Sequence, residues 1–138
     1  NLGIHELGHV VFGPLGEFLG VAGGTILQCL LPLISIPMFY RQPDYFGIAL
    51  SFGWLSTNLF NVSTYVADAR AMDLPLVSIG GGETIHDWDY LLDKFGLLQA
   101  DTQIAFGIRI CAIISMLISL GFGAWLLWHM FRGKESPQ

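Results

Sequence analysis

Apolar residues run along this chain in long blocks separated by short polar turns. In the first block, Asn1 to Gly13, Glu6 is the one acid and two histidines are the other polar side chains after Asn1. The pattern predicts the end of a membrane helix over residues 1–13, broken by Gly13, Pro14 and Gly16. The chain starts abruptly against this block, so an upstream part of the helix is expected to precede it. Phe18 to Tyr40 is a run of 23 residues without a charge, and a bilayer needs roughly 20. Pro32 and Pro37 are kinks that neighbouring helices can tolerate. After the polar turn Arg41-Gln42-Pro43-Asp44, Tyr45 to Ala67 is a second uncharged run of 23, predicting a helix over 45–68. A polar segment follows over 69–103. The last block predicts a helix over 104–131 with Ile110 to Trp128 as its apolar centre, before a solvated tail at Arg132-Gly133-Lys134-Glu135.

Two stretches refine this picture. In the third helix Ser51, Trp54, Asn58, Asn61, Tyr65 and Asp68 recur at alternating steps of three and four, which draws a stripe down one helix face. Polar side chains in a membrane helix face protein or trapped water rather than lipid, so the stripe predicts an inward face ending in a carboxylate. In the polar segment, Gly80-Gly81-Gly82 marks a bend. His86-Asp87-Trp88-Asp89-Tyr90 then leads into Leu91, Leu92, Phe95, Leu97 and Leu98, the pattern of a short amphipathic helix at the membrane surface, with Trp88 and Tyr90 at headgroup level. The expected fold is therefore all-α: a single integral membrane domain over 1–138, a polytopic bundle of about four membrane helices with the first truncated, and one short interfacial helix.

Composition agrees. The chain is 53% hydrophobic and 12% charged, against about 25% charged in soluble domains. A net charge of −5 argues against a nucleic-acid partner, which leaves membrane lipid and a membrane-protein or peptide substrate as expected partners. Cys29 and Cys111 each fall inside an apolar run and read as packing residues. Following the alternation of sides, the first helix, the end of the third and the His86-Asp87 stretch gather at one membrane face. Arg41, Arg132 and Lys134 fall on the other, but Arg70, Lys94 and Arg109 match them in number on the first, so the positive-inside rule leaves the orientation open, with the first face outward the preferred reading.

The chemistry lies in His5-Glu6-Leu7-Gly8-His9. Two histidines four apart on a helix stand on one face and can hold one Zn²⁺, while the glutamate between them can activate a bound water. An idle His-Glu-His group in an apolar setting is costly unless paired. Gly8, beside the ligands, lets another backbone approach. A catalytic zinc takes three protein ligands and a water. Asp68 is the first candidate for the third ligand; its other reading is a helix-end acid paired with Arg70. His86 and Asp87 compete with it as ligands or as groups supporting the ligands, and Asp87 is also a plausible helix cap. Asn58, Asn61 and Tyr65 are candidates for positioning a substrate carbonyl, or for hydrogen bonds that hold the bundle together.

H-E-x-x-H in a membrane helix with a later membrane-helix aspartate resembles the site-2 protease class of intramembrane zinc metalloproteases. That resemblance implies His5, His9 and Asp68 as ligands and Glu6 as general base. The family's N-P-x-P-x-x-x-x-D-G run is replaced here by N-L-F-N-V-S-T-Y-V-A-D-A-R, Asn58 to Arg70. Over nearly the whole chain the sequence looks closer to an uncharacterised family of bacterial membrane proteins. Those share N-L-x-x-H-E-x-G-H, G-G-x-x-x-Q (Gly23 to Gln28), Y-x-x-D-A-R (Tyr65 to Arg70) and H-D-W (His86 to Trp88), which implies the bacterial inner membrane. The expected function is a zinc-dependent intramembrane hydrolase, a metallopeptidase. The alternatives are a non-catalytic metal-binding membrane protein, serving as sensor, transport component or structural partner, and a metal-free bundle.

Overall fold

The computed structural model describes residues 1–74 and 86–132. The glycine run 80–82 and the tail beyond Arg132 lie outside the described residues. Five α-helices, α1 (Leu2–Phe12), α2 (Glu17–Arg41), α3 (Tyr45–Ala67), α4 (Asp87–Lys94) and α5 (Asp101–Arg132), are joined with short 3₁₀ turns at Gly13–Leu15 and Leu98–Ala100, and the described residues contain no strand. Each boundary has a local cause. Pro14 and Gly16 stop α1, and Gly16 takes a φ of +113°, a conformation open to glycine but costly for other residues. Asp44 caps α3, its Oδ1 accepting from the Gly47 amide at 2.8 Å, which satisfies one of the free amides of the first turn.

The helices pack in the order α1 on α2, α2 on α3 and α3 on α5, with α4 lying across α2 and α3. The α1–α2 contact is backbone on backbone. A Cβ on Gly8 would overlap the Gly23 carbonyl, and one on Gly23 would come within 2.5 Å of the Gly8 oxygen. The α3–α5 seam is antiparallel and stitched by hydroxyls. Ser56 donates to the Ala112 carbonyl at 2.7 Å, Ser115 to Phe52 at 2.8 Å and Ser119 to Ala49 at 2.7 Å. Interhelical bonds of this kind suit an apolar surrounding, where water offers no alternative partner. Where α3, α4 and α5 meet, Val62, Val66, Ala69, Leu92 and Ala105 form an apolar cluster with Trp88 packed against it. Trp88 is therefore half-buried under α4, because Leu91 and Leu92 pull that face of α4 inward.

Among the described residues, two segments are long and apolar enough to cross a membrane: α2, and Leu98–Arg132, which contains α5. Little of the α5 segment is buried, and Ile114, Leu117 and Leu120 are more than half exposed. A long helix that exposes its large apolar side chains needs an apolar environment or a partner. The third helix is as long as a span requires, but with its serines, threonines and asparagines it does not join these two.

Candidate metal centre

The site is built where α1 lies on the first half of α2. His5 and His9 sit one turn apart on the face of α1 that meets α2, their rings edge to face with centroids 4.7 Å apart. Gly24 makes the room for them. A Cβ there would fall 2.6 Å from His5 Cε1, 2.6 Å from His9 Nε2 and 2.7 Å from His5 Nε2. Gly24 lies about 10 Å of helix rise in from Glu17.

Asp87, in the first turn of α4, completes the group. Its Oδ2 stands 3.0 Å from His5 Nε2 and 3.2 Å from His9 Nε2. His5, His9 and Asp87 each bring one ligand atom to within 4.8 Å of the others. Ligands on a tetrahedral zinc at about 2.0–2.1 Å lie about 3.3 Å apart, close to the two histidine–carboxylate separations.

The other nitrogen of each ring is already committed. His9 Nδ1–H donates to the Gly20 carbonyl at 2.8 Å, and His5 Nδ1–H donates to Gln28 Oε1 at 3.1 Å. Gln28 is 1% exposed. With both Nδ1 atoms carrying the proton, both neutral rings turn an Nε2 lone pair toward the same carboxylate oxygen. Lone pairs facing an anion repel, and a shared positive centre, protons or one metal ion, relieves that repulsion. A fixed tautomer with its second nitrogen hydrogen-bonded is the arrangement metal-binding histidines use. The two-nitrogen, one-oxygen donor set, the Gly24 cradle and the fixed tautomers therefore fit a divalent ion such as zinc.

Asp68, the first-ranked third ligand by sequence, is engaged elsewhere. At the C-cap of α3 the chain turns back so that the Asp73 and Leu74 amides donate to its two carboxylate oxygens, both at 3.0 Å. His86 Nε2–H donates to Oδ2 at 3.3 Å. Burial opposes the charge on Asp68, but the amides of Leu74 and Asp73 and the His86 ring outweigh it and hold the carboxyl below its ordinary range. Nor does Asp68 pair with Arg70. Arg70 donates to Asp101 at 2.7 Å and to Gln99 at 3.2 Å, and Asp101 raises the guanidinium pKa further. His86, the other competitor, is the N-cap of α4: its Nδ1 accepts from the Asp89 amide at 3.3 Å.

Glu6 lies between the two histidines in sequence, is half-buried and makes no hydrogen bond among the described residues. Of the substrate-positioning candidates, Asn58 is fully buried and donates to the Gln28 main-chain carbonyl, so its amide braces α2 behind His5. Tyr65 is half-buried, its ring 6.3 Å from that of His86. Asn61 is exposed, so the polar stripe does not face inward along its whole length. Sequence reasoning gave no site role to Gly24, Gln28 or the Gly20 carbonyl. The signal for the first two was present in Gly23-Gly24 and in Gln28, the one amide of an uncharged run. No protein-family model, no curated protein and no solved structure matches the chain.

Proposed function

We propose that this chain is a zinc-dependent hydrolase of the membrane, a metallopeptidase comparable in chemistry to the site-2 protease class, with His5, His9 and Asp87 as its ligands. The carrying observation is the convergence of both Nε2 atoms on Asp87 Oδ2 while both Nδ1–H groups are engaged. His5, His9 and Asp87 would hold the ion with the three protein ligands that catalytic zinc sites use. When bound, zinc supplies Lewis acidity, polarising a carbonyl and acidifying a water. Glu6 is the base: a carboxylate next to the ligands, free of other partners among the described residues, accepts the water's proton and returns it to the leaving amine. Gln28 and Gly20 hold the imidazoles in the tautomer that binds, and Gly24 lets the rings lie against α2.

In this reading α2, α3 and α5 cross the bilayer with α1 alongside, a polytopic bundle of the bacterial inner membrane. The exposed apolar surface of α5 and the serine ladder inside the α3–α5 seam support it. The centre, about 10 Å in from the start of α2, then lies just within the bilayer edge, where a membrane-embedded peptide is within reach.

The test is purified protein in detergent with Glu6→Gln. Zinc content is expected to match the parent, and cleavage of a substrate identified by membrane proteomics to fall by at least 10²-fold. Full activity in Glu6→Gln overturns the mechanism. Stoichiometric zinc with no substrate accumulating in a deletion strain points to the non-catalytic alternative.

A further inference from the structure

Asp87 does not reach the histidines on its own account. It stands in the first turn of an eight-residue helix, too short to hold its place unaided. Its apolar anchor, Leu91 and Leu92 with Trp88 packed against the core cluster, sets which face of α4 is down, and polar contacts complete the hold on its N-terminal end. That end is held through His86, which is 4% exposed and uses both ring nitrogens. One accepts from the Asp89 amide, and the other donates to Asp68. Asp68 is itself 8% exposed and fixed by two backbone amides at the end of α3. A chain of contacts thus runs from the end of α3 through a carboxylate and an imidazole to the residue adjoining the ligand.

We propose that Asp68 and His86 are the positioning pair of the metal centre. The carboxylate clamps the ring, the ring caps α4, and the cap sets Asp87 against His5 and His9. The inference rests on the metal reading above, and assigns Asp68 a place outside the coordination sphere. Neither residue touches the metal or the substrate. Their effect is on the position of a ligand, where displacements of about 0.5 Å already matter.

The experiment titrates the full chain in detergent micelles with Co²⁺, read by its visible absorption. The parent is expected to bind one ion with a four-coordinate spectrum. Asp68→Asn is expected to weaken binding by about 10- to 100-fold, as loss of a group supporting a ligand does, with the parent spectrum restored at saturation. His86→Asn keeps an N-cap side chain but is too short to bridge to Asp68, so it should show the same weakening. The double variant should be no worse than either single one. Arg70→Gln, which breaks the neighbouring ion pair to Asp101, should leave the affinity unchanged. His86→Asn also probes the link if Asp68→Asn fails to fold. Parent affinity in both variants overturns the positioning role while leaving the metal site intact. A changed spectrum at saturation in Asp68→Asn makes Asp68 a ligand and also overturns it. A parent chain that binds no Co²⁺ overturns the metal reading and this inference with it.

Discussion

Gly24→Ala separates the metal centre from the fold. The new methyl would stand 2.6 Å from His5 Cε1 and from His9 Nε2. Ordinary contact begins near 3.4 Å, so the rings must retreat by about 0.8 Å, more than the roughly 0.5 Å a working site tolerates. Retreat also stretches the Nδ1–H bonds to Gln28 and Gly20, now 3.1 and 2.8 Å. Overpacking of this kind costs about 1–3 kcal/mol. Here it falls on the metal-bound state, because only that state requires both rings in place. The upper part of that range, about 2–3 kcal/mol, corresponds to roughly 30- to 150-fold in zinc affinity. The metal-free protein can turn the rings aside, and it gains up to about 1 kcal/mol of helix propensity from alanine. Its thermal stability should therefore stay within about 1 kcal/mol of the parent. The assay is competitive zinc titration beside metal-free thermal melts followed by circular dichroism. Gly121→Ala, with nothing within 4 Å of the added atom, is the control. Parent-like zinc affinity in Gly24→Ala would refute the reasoning.

Three further outcomes follow from the same geometry. Gln28→Leu removes the acceptor for His5 Nδ1–H and should weaken zinc binding about 10- to 100-fold, measured by the same competition. The depressed pKa of Asp68 gives stability that is fully present above the ordinary carboxylate value near pH 4 and is lost as pH falls through the lower folded value. Unfolding midpoints in detergent from about pH 5 to pH 2 should show that acid limb, and Asp68→Asn should flatten it. Ser56→Ala, Ser115→Ala and Ser119→Ala should each cost about 0.6 kcal/mol and together about 2 kcal/mol, read by chaotrope unfolding in micelles.

The helices were legible because uncharged runs and turn residues are local signals: α2 occupies Glu17–Arg41 around the run 18–40, and α3 occupies Tyr45–Ala67. The histidine pair was legible because helix geometry alone puts i and i+4 together. The acid was not. Asp68 and Asp87 both come to the same end of the bundle, and position along the chain gives them equal access. The choice is made by the amides of residues 73 and 74, which fill the Asp68 carboxylate. No periodicity records where a turn aims its N–H groups. Asn61 was misplaced for a related reason. The stripe it belongs to is wider than the interface α2 offers, so one edge of it stays outside.

In the proposed centre His5 and His9 come from α1, and Asp87 is 82 positions beyond His5. During synthesis the imidazole pair is therefore made and packed long before its acid exists. A nascent chain halted after α3 presents two imidazoles without their carboxylate. On the proposed metal reading, ion capture is a closing act of biogenesis, governed by the arrival of α4, and a truncated product would be unable to complete the centre.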